Sequence, residues 1–453
     1  MAHSAHPLLA DAGDSIAIID AVTETTLTYD DLHKAVSRWA NDLGHLTGRL
    51  VLLGASVTIE SIVDYLALLA AGATVALVDP QSPADVVEHW TTAYRPDASW
   101  GLVHGPVSYG RRGLRSPLPP SSDALLLATS GSTGNPKFVR LGQSQLTTSA
   151  SQIVEATRMT PSDRALIHLP LFYTYGLSVL NSHLSLGAGV VLTDESAIRR
   201  GFWDAIGDHQ VTCLPGVPYS YEMYHRMRFN QMTLPTLKAM TESGGKMTPQ
   251  RILEFHHAME RNGGHLWMMY GQTEATSRVS VCPPEELLAH IGSVGLPVRD
   301  VKVSLADVQD GEGELIVEAP TVMLGYATNR DEVDGSDRHR GVLRSGDLAR
   351  VDSDGYITLT GRLKRLAKVF GMRVNLDDVE RQLSDFGTLA AVDSTDGLAV
   401  FIEAESVAGD LARRMEHALR LPPRSLRLHA VDRLPTTANG KIDYTELKHA
   451  CRI

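Results

Sequence analysis

The sequence predicts an α/β protein: a large N-terminal domain of βα-layered subdomains with a β-rich subdomain, then a small α+β C-terminal domain. Three observations carry that reading. Short apolar runs alternate with helical stretches from Leu50 to Met269, as strands do when helices cover the faces of their sheet. After Ile291 no convincing helix interrupts Val301–Leu305, Glu314–Val317, Ala349–Val351 and Tyr356–Thr360, which read as short strands, the last two joined by a turn at Ser353-Asp354-Gly355. From Gly361 onward 15 Lys and Arg stand against 13 Asp and Glu, a net +2, whereas the residues before it carry −13. The domain boundary is accordingly expected at 361/362, giving domains of residues 1–361 and 362–453.

The elements follow in chain order. Thr28-Tyr29-Asp30-Asp31-Leu32 opens a helix through Leu43, with Thr28 or Asp30 as N-cap. Leu50–Leu53, Ile59–Ala71 and Thr74–Val78 then read as strand, helix and strand, a βαβ scaffold unit with no assigned chemistry. The run Ala124–Ala128 is a buried strand. It feeds Thr129-Ser130-Gly131-Ser132-Thr133-Gly134-Asn135-Pro136-Lys137, whose small hydroxyl residues and two glycines let backbone N–H groups curl around an anion while Lys137 adds charge at the rim. It is not a Walker A loop: only two residues separate the glycines, and Phe138 follows the lysine.

Beyond it the expected elements are strands at Ala165–His168, Gly189–Leu192 and Val211–Leu214 and helices at Leu177–Leu186 and Ile198–Gly207. Ligands of such sheets sit at the carboxyl ends of strands. Tyr173, Tyr175 and Gly176 lie in one strand-end loop, and Val217-Pro218 in another. Strand Leu237–Thr241 leads into Gly244-Gly245, which permits close approach of a flat group; Thr248-Pro249 then starts a helix. His256 and His257 on that helix read as surface residues with no third ligand nearby. Leu266–Met269 runs into Tyr270-Gly271-Gln272-Thr273-Glu274, a hydroxyl and a carboxylate together, which suits Mg²⁺ on nucleotide phosphates.

Composition excludes several classes. With 43% hydrophobic and 21% charged residues, the 453-residue chain has the balance of a globular protein. Its net charge of −11 argues against nucleic acid as a partner. Three widely separated cysteines give neither a disulfide framework nor metal spacing, no apolar run approaches the roughly 18 residues of a membrane helix, and residues 1–9 do not form a signal segment. A cytoplasmic location without a membrane span is expected.

In order and spacing, Thr129–Lys137, Tyr270–Glu274, Ser345-Gly346-Asp347, Gly361-Arg362 and Asn439-Gly440-Lys441 resemble the adenylate-forming superfamily of acyl-CoA synthetases, adenylation domains and luciferases. The resemblance covers the chain from about Leu27 onward. It implies that Thr129, Ser130, Gly131, Ser132, Thr133 and Gly134 cradle ATP phosphates with Lys137, and that Gly244, Gly245, Tyr270, Gly271 and Gln272 hold adenine. Thr273 would touch the α-phosphate and Glu274 would hold Mg²⁺. Asp347 would accept the ribose hydroxyls, which suits an acceptor-only carboxylate; Arg362 would assist there, and Lys441 would be the mobile catalytic lysine. The acid would lie among Tyr173, Tyr175, Gly176, Val217, Pro218, Gly244, Met269 and Gly271. Lys364 would be the hinge and Gly371 would line a thiol tunnel; Lys364 and Lys368 match the aryl-CoA ligase and luciferase branch.

Departures concern mainly the substrate. Phe138 stands where a glycine is usual, Tyr173 for a histidine, Lys364-Arg365 where many members have an acidic pair, and Tyr444 for an arginine. No acid lies between Phe172 and Ser178 to pair with an α-ammonium, which favours an aryl or acyl acid. The implied activity is adenylation of a carboxylate by ATP with Mg²⁺, then transfer to a pantetheine thiol. No carrier domain follows Ile453, so the thiol is expected on CoA or on the phosphopantetheine of a separate acyl or peptidyl carrier protein, which a slightly basic tail suits. The alternatives are transfer to an amine or another small nucleophile, a stand-alone amino-acid adenylating enzyme, and a non-catalytic nucleotide-binding homologue.

Overall fold

The computed structural model of the chain describes residues 6–105, 123–128, 137–333, 335–369, 372–394, 397–407, 410–419, 426–437 and 441–451. The loop Thr129–Pro136, Gly371 and Asn439-Gly440 lie outside them. The chain divides into two compact units, Met1–Lys302 with Val317–Leu343, and Val303–Ile316 with Arg344–Ile453.

The larger unit holds two sheets. In the six-stranded sheet the order is Gly325–Ala327, Phe138–Gly142, Asp123–Ala128, Thr74–Val78, Leu50–Gly54 and Ala98–Trp100. Leu50–Gly54 and Thr74–Val78 are buried along their whole length, which is why they are apolar runs rather than alternating patterns. Phe138 is 1% exposed and meets Tyr94 edge-on, with centroids 4.8 Å apart. The departure beside Lys137 is therefore a core anchor. Arg140, two residues on, is sealed inside: Nε and Nη2 donate to the two Asp123 oxygens at 2.7 and 3.0 Å, and Nη2 also reaches Gly335 O.

The nine-stranded sheet runs Leu296–Pro297, Ser280–Cys282, His265–Tyr270, Ala239–Glu242, Cys213–Gly216, Arg164–Ile167, Gly189–Leu192, Ile16–Asp20 and Thr25–Thr28. The strand expected at Val211–Leu214 is shifted to Cys213–Gly216, because its parallel register with the neighbouring strand extends to Gly216 opposite Glu242. Thr28 caps the helix Tyr29–Asp42, its hydroxyl accepting from the Asp31 N–H while the Asp31 carboxylate accepts the Thr28 N–H. Thr248 and Pro249 start the helix Pro249–Arg261 as read. His257 is exposed as expected, whereas His256 is not, and an acid stands beside both. His256 is buried at 8% exposure, and Glu260 lies 3.5 Å from His256 Nε2 and 3.2 Å from His257 Nδ1. One helical turn brings that acid onto the same face.

In the smaller unit the strands Lys302–Gln309, Glu312–Glu318, Val342–Val351 and Ile357–Arg362 form a four-stranded sheet. A three-stranded sheet follows from Leu389–Ser394, Gly397–Glu403 and Leu426–Val431. Its residues alternate between two apolar clusters, Leu389 and Ala391 in one, Ala390 and Val392 in the other, as the period of a strand requires. A two-stranded sheet, Leu366–Val369 with Met372–Asn375, and helices Leu376–Gln382, Leu411–Ala418 and Tyr444–Ala450 complete the described elements. Arg365 ties the first and last of these helices together: it donates to Asp377 and Glu380 and lies 3.7 Å above the Tyr444 ring, whose hydroxyl donates to Glu380 at 3.1 Å. Tyr444 thus has a structural use.

Candidate active site

In the larger unit, three of the residues singled out in the sequence converge. Lys137 stands just before strand Phe138–Gly142, whose antiparallel partner Gly325–Ala327 puts Tyr326 opposite Val139. The Lys137 Nζ lies 3.2 Å from the centroid of the Tyr326 ring, a cation–π contact. The Tyr326 hydroxyl donates to Glu274 Oε1 at 2.8 Å. Glu274 sits in the 3-10 turn Thr273–Ala275, and its carbonyl accepts the Met323 N–H at 2.9 Å. The Thr273 hydroxyl is 2.7 Å from that of Thr174, the first residue of helix Thr174–Leu186. Burial, reinforced by the Glu274 carboxylate, pushes the Tyr326 phenol above its ordinary value, so it remains a donor.

Tyr326 and Thr174 were missed in the sequence reading. One signal was available for the tyrosine, since the apolar run Val322–Leu324 ends abruptly in Gly-Tyr.

A second group forms where the central strands of the nine-stranded sheet end. Tyr175 is buried, its hydroxyl donating to Thr241 O at 2.9 Å and lying 2.7 Å from Thr241 Oγ1; Tyr173, half-buried, meets its ring edge-on. Met269 and Tyr270 close the buried strand His265–Tyr270, and Gln272 Nε2 donates to the Tyr270 hydroxyl at 3.1 Å. At Gly271 a Cβ would fall 1.3 Å from Ser277 O, and at Gly245 it would fall 2.7 Å from Pro218 Cγ. Both glycines are demanded by close packing of the chain itself. Val217 is buried and N-caps the helix Pro218–Arg226, and Gly176 is buried in the first turn of its helix.

The fully buried Arg278 crosses this region: its Nη1 donates to Ser243 Oγ at 2.9 Å and its guanidinium lies 5.2 Å above the Tyr175 ring. Glu242, at the end of the adjacent strand, is 1% exposed. Neither was singled out from the sequence, although Arg278 is the one charged residue in the small and apolar run Ala275–Cys282.

The smaller unit holds the other candidates. Asp347 on Val342–Val351 faces Arg362 on Ile357–Arg362, and Arg362 Nε donates to Asp347 Oδ1 at 3.0 Å. The turn before Asp347 is held by Glu314, whose Oε1 accepts the Gly346 N–H at 3.1 Å while Arg344 Nε donates to its other oxygen at 2.8 Å. Lys441 is tied back to the residues before it: its carbonyl accepts the Thr437 N–H at 2.7 Å, and Thr436 bridges Ile442. Lys364 falls in the 3-10 turn Leu363–Arg365 and Lys368 in the strand Leu366–Val369.

Among the described residues no helix is long and apolar enough to cross a membrane. The family described as AMP-binding enzyme matches residues 106–327. An oxalate–CoA ligase of Arabidopsis thaliana is 27% identical over 91% of this chain and 90% of its own length. A feruloyl-CoA synthase of an Amycolatopsis species is 32% identical over 70% of this chain and 68% of its own. The solved o-succinylbenzoate CoA synthetase of Bacillus subtilis, in complex with its acyl-adenylate, shares the fold with a TM-score of 0.78 at 22% identity, covering 96% of this chain and 95% of that one. With Lys137, Thr273 and Glu274 gathered at one strand-end site and a relative of this similarity, the chain belongs to the AMP-binding, adenylate-forming enzymes.

Proposed function

We propose that the protein is an AMP-forming acid–thiol ligase working in two steps. A carboxylate oxygen attacks the α-phosphorus of ATP as the bond to pyrophosphate breaks, giving acyl-AMP. A pantetheine thiol, on CoA or on a separate carrier protein, then loses its proton and attacks the acyl carbon, and AMP leaves. The first step is needed because a carboxylate is a poor electrophile with a poor leaving group.

The observation that carries this reading is the line Lys137–Tyr326–Glu274, with Thr273 beside Glu274. Lys137 and the loop Thr129–Pro136 are assigned to the phosphates. Tyr326 occupies one oxygen of Glu274, so the other oxygen suits the few protein ligands Mg²⁺ accepts beside phosphate and water, and the Thr273 hydroxyl is assigned to the α-phosphate. Bound Mg²⁺ would offset phosphate charge. Asp347 and Arg362 are assigned to the ribose, and Lys441 to the charge that develops between carboxylate and α-phosphate. The proposed boundary at 361/362, with Lys364 as hinge, lets the small domain turn between steps and present Gly371 to the thiol. Lys368 is grouped with the nucleotide-facing residues.

Pyrophosphate release from ATP across a panel of aryl, acyl and amino acids tests this. Release stimulated by one acid class and lost in Lys441→Ala supports adenylation; consumption of a thiol rather than an amine fixes the acceptor. No stimulation by any acid would overturn it.

A further inference from the structure

We propose that Arg278, with Ser243, is the specificity group of the acid site, and that the acid activated here carries a second, anionic group at the end remote from the reacting carboxyl. The inference rests on the adenylation reading above and refines its substrate.

The argument begins with cost. A guanidinium is always charged and offers five N–H donors, and burying it without partners is strongly unfavourable. Arg278 is 1% exposed, yet its hydrogen bond is to a neutral serine hydroxyl, its Nε is buried with no acceptor, and no ion-pair partner for it lies among the described residues. Stacking over Tyr175 returns part of that cost. Burial pulls its guanidinium below its ordinary value, and the opposing influences come, in order, from Tyr175, Tyr173 and then Glu242. Both tyrosines are neutral phenols, so Glu242 is the one anionic group among these three, and it forms no ion pair with Arg278.

Position supplies the second half. Arg278 follows the turn bearing Thr273 and Glu274, and it joins Tyr175 to Ser243, the residue before Gly244. It therefore reaches from the phosphate-side turn to the glycine pair and tyrosine assigned to the acid. A fixed, unsaturated guanidinium there suits a carboxylate, which can accept two parallel N–H bonds. It rejects an acid with an apolar tail, which would leave the charge dry and unpaired.

The experiment compares matched sets of three acids of equal length, one ending in a second carboxylate, one in a methyl group and one in an ammonium, by pyrophosphate release with wild type, Arg278→Gln and Arg278→Lys. The expected result is a kcat/KM at least tenfold higher for the dicarboxylate in wild type, with that ratio falling at least tenfold in Arg278→Gln and partly restored in Arg278→Lys. Preference for the methyl- or ammonium-ended acid, or an unchanged ratio in folded Arg278→Gln, would overturn the proposal. Thermal stabilisation by the acids alone separates the two readings. If no acid drives pyrophosphate release but the dicarboxylate stabilises wild type and not Arg278→Gln, adenylation falls and the Arg278 site stands; if it stabilises both equally, the Arg278 site falls.

Discussion

Arg365, in the smaller unit, has a carboxylate at two of its nitrogens and an aromatic ring beneath it, whereas Arg278, in the larger unit, has a serine, a ring and an unpartnered Nε. The contrast does not reflect which unit each belongs to. Arg140, in the same unit as Arg278, is saturated by Asp123 and Gly335. An arginine that serves the fold is completed by the fold, because an uncompensated buried charge costs several kcal/mol. One left incomplete beside a site is completed by a ligand.

The comparison can be broken first at Arg140. Arg140→Leu removes both hydrogen bonds that the buried Asp123 carboxylate accepts from the guanidinium, and should cost about 3–5 kcal/mol in chemical denaturation. A loss below about 1 kcal/mol would mean that saturation does not identify structural arginines.

His183 sharpens the contrast, as a buried group that avoids the cost by staying neutral. Burial pushes its imidazole from 6.5 down to about 4, against a hydrogen bond from the ring to Val179 O. The unfolded chain takes up this proton near 6.5 and the folded chain only near 4. Stability is thus complete above the upper value and is lost as pH falls toward the lower one, by up to about 3 kcal/mol. Stability measured against pH should flatten over that window in His183→Gln; an unchanged slope would remove His183 as its source.

Arg365→Met should cost about 2 kcal/mol, less than Arg140, because Asp377 and Glu380 retain some access to water. Tyr326→Phe keeps the ring under Lys137 and removes the bond to Glu274, so kcat/KM for pyrophosphate release should fall about tenfold, or about 1.4 kcal/mol, with little change in melting temperature. Equal losses in Tyr326→Phe and Tyr326→Leu would show that only the hydroxyl matters; a loss confined to Tyr326→Leu would show that only the ring does. The smallest effect is expected at Arg278 itself: Arg278→Gln should change stability by less than about 1 kcal/mol, since little is paired with it in the folded chain. A loss as large as that of Arg140→Leu would put Arg278 among the structural arginines.

Much of this was legible in the sequence because local rules and tertiary structure agree there. The buried strands are apolar runs, the helix at Tyr29 has its capping box written in Thr28 and Asp31, and Thr273-Glu274 follows a strand as phosphate-side residues do. What escaped was set by long-range pairing. Tyr326 reaches Lys137 only because Gly325–Ala327 pairs with Phe138–Gly142, across almost two hundred residues of chain. Glu260 is invisible to a search of adjacent histidines but obvious once the helix turns. At Gly271 and Gly245 the close approaches are to the chain's own backbone and to Pro218, which local sequence does not announce.

Tyr326 gives its ring to Lys137 and its hydroxyl to Glu274. One rigid phenol therefore links the cation assigned to the nucleotide with the anion assigned to the metal, and any shift of either is transmitted to the other. Nucleotide and divalent cation should then bind cooperatively, each raising the other's affinity by the same factor. Loss of the hydroxyl should weaken that coupling more than it weakens either ligand alone.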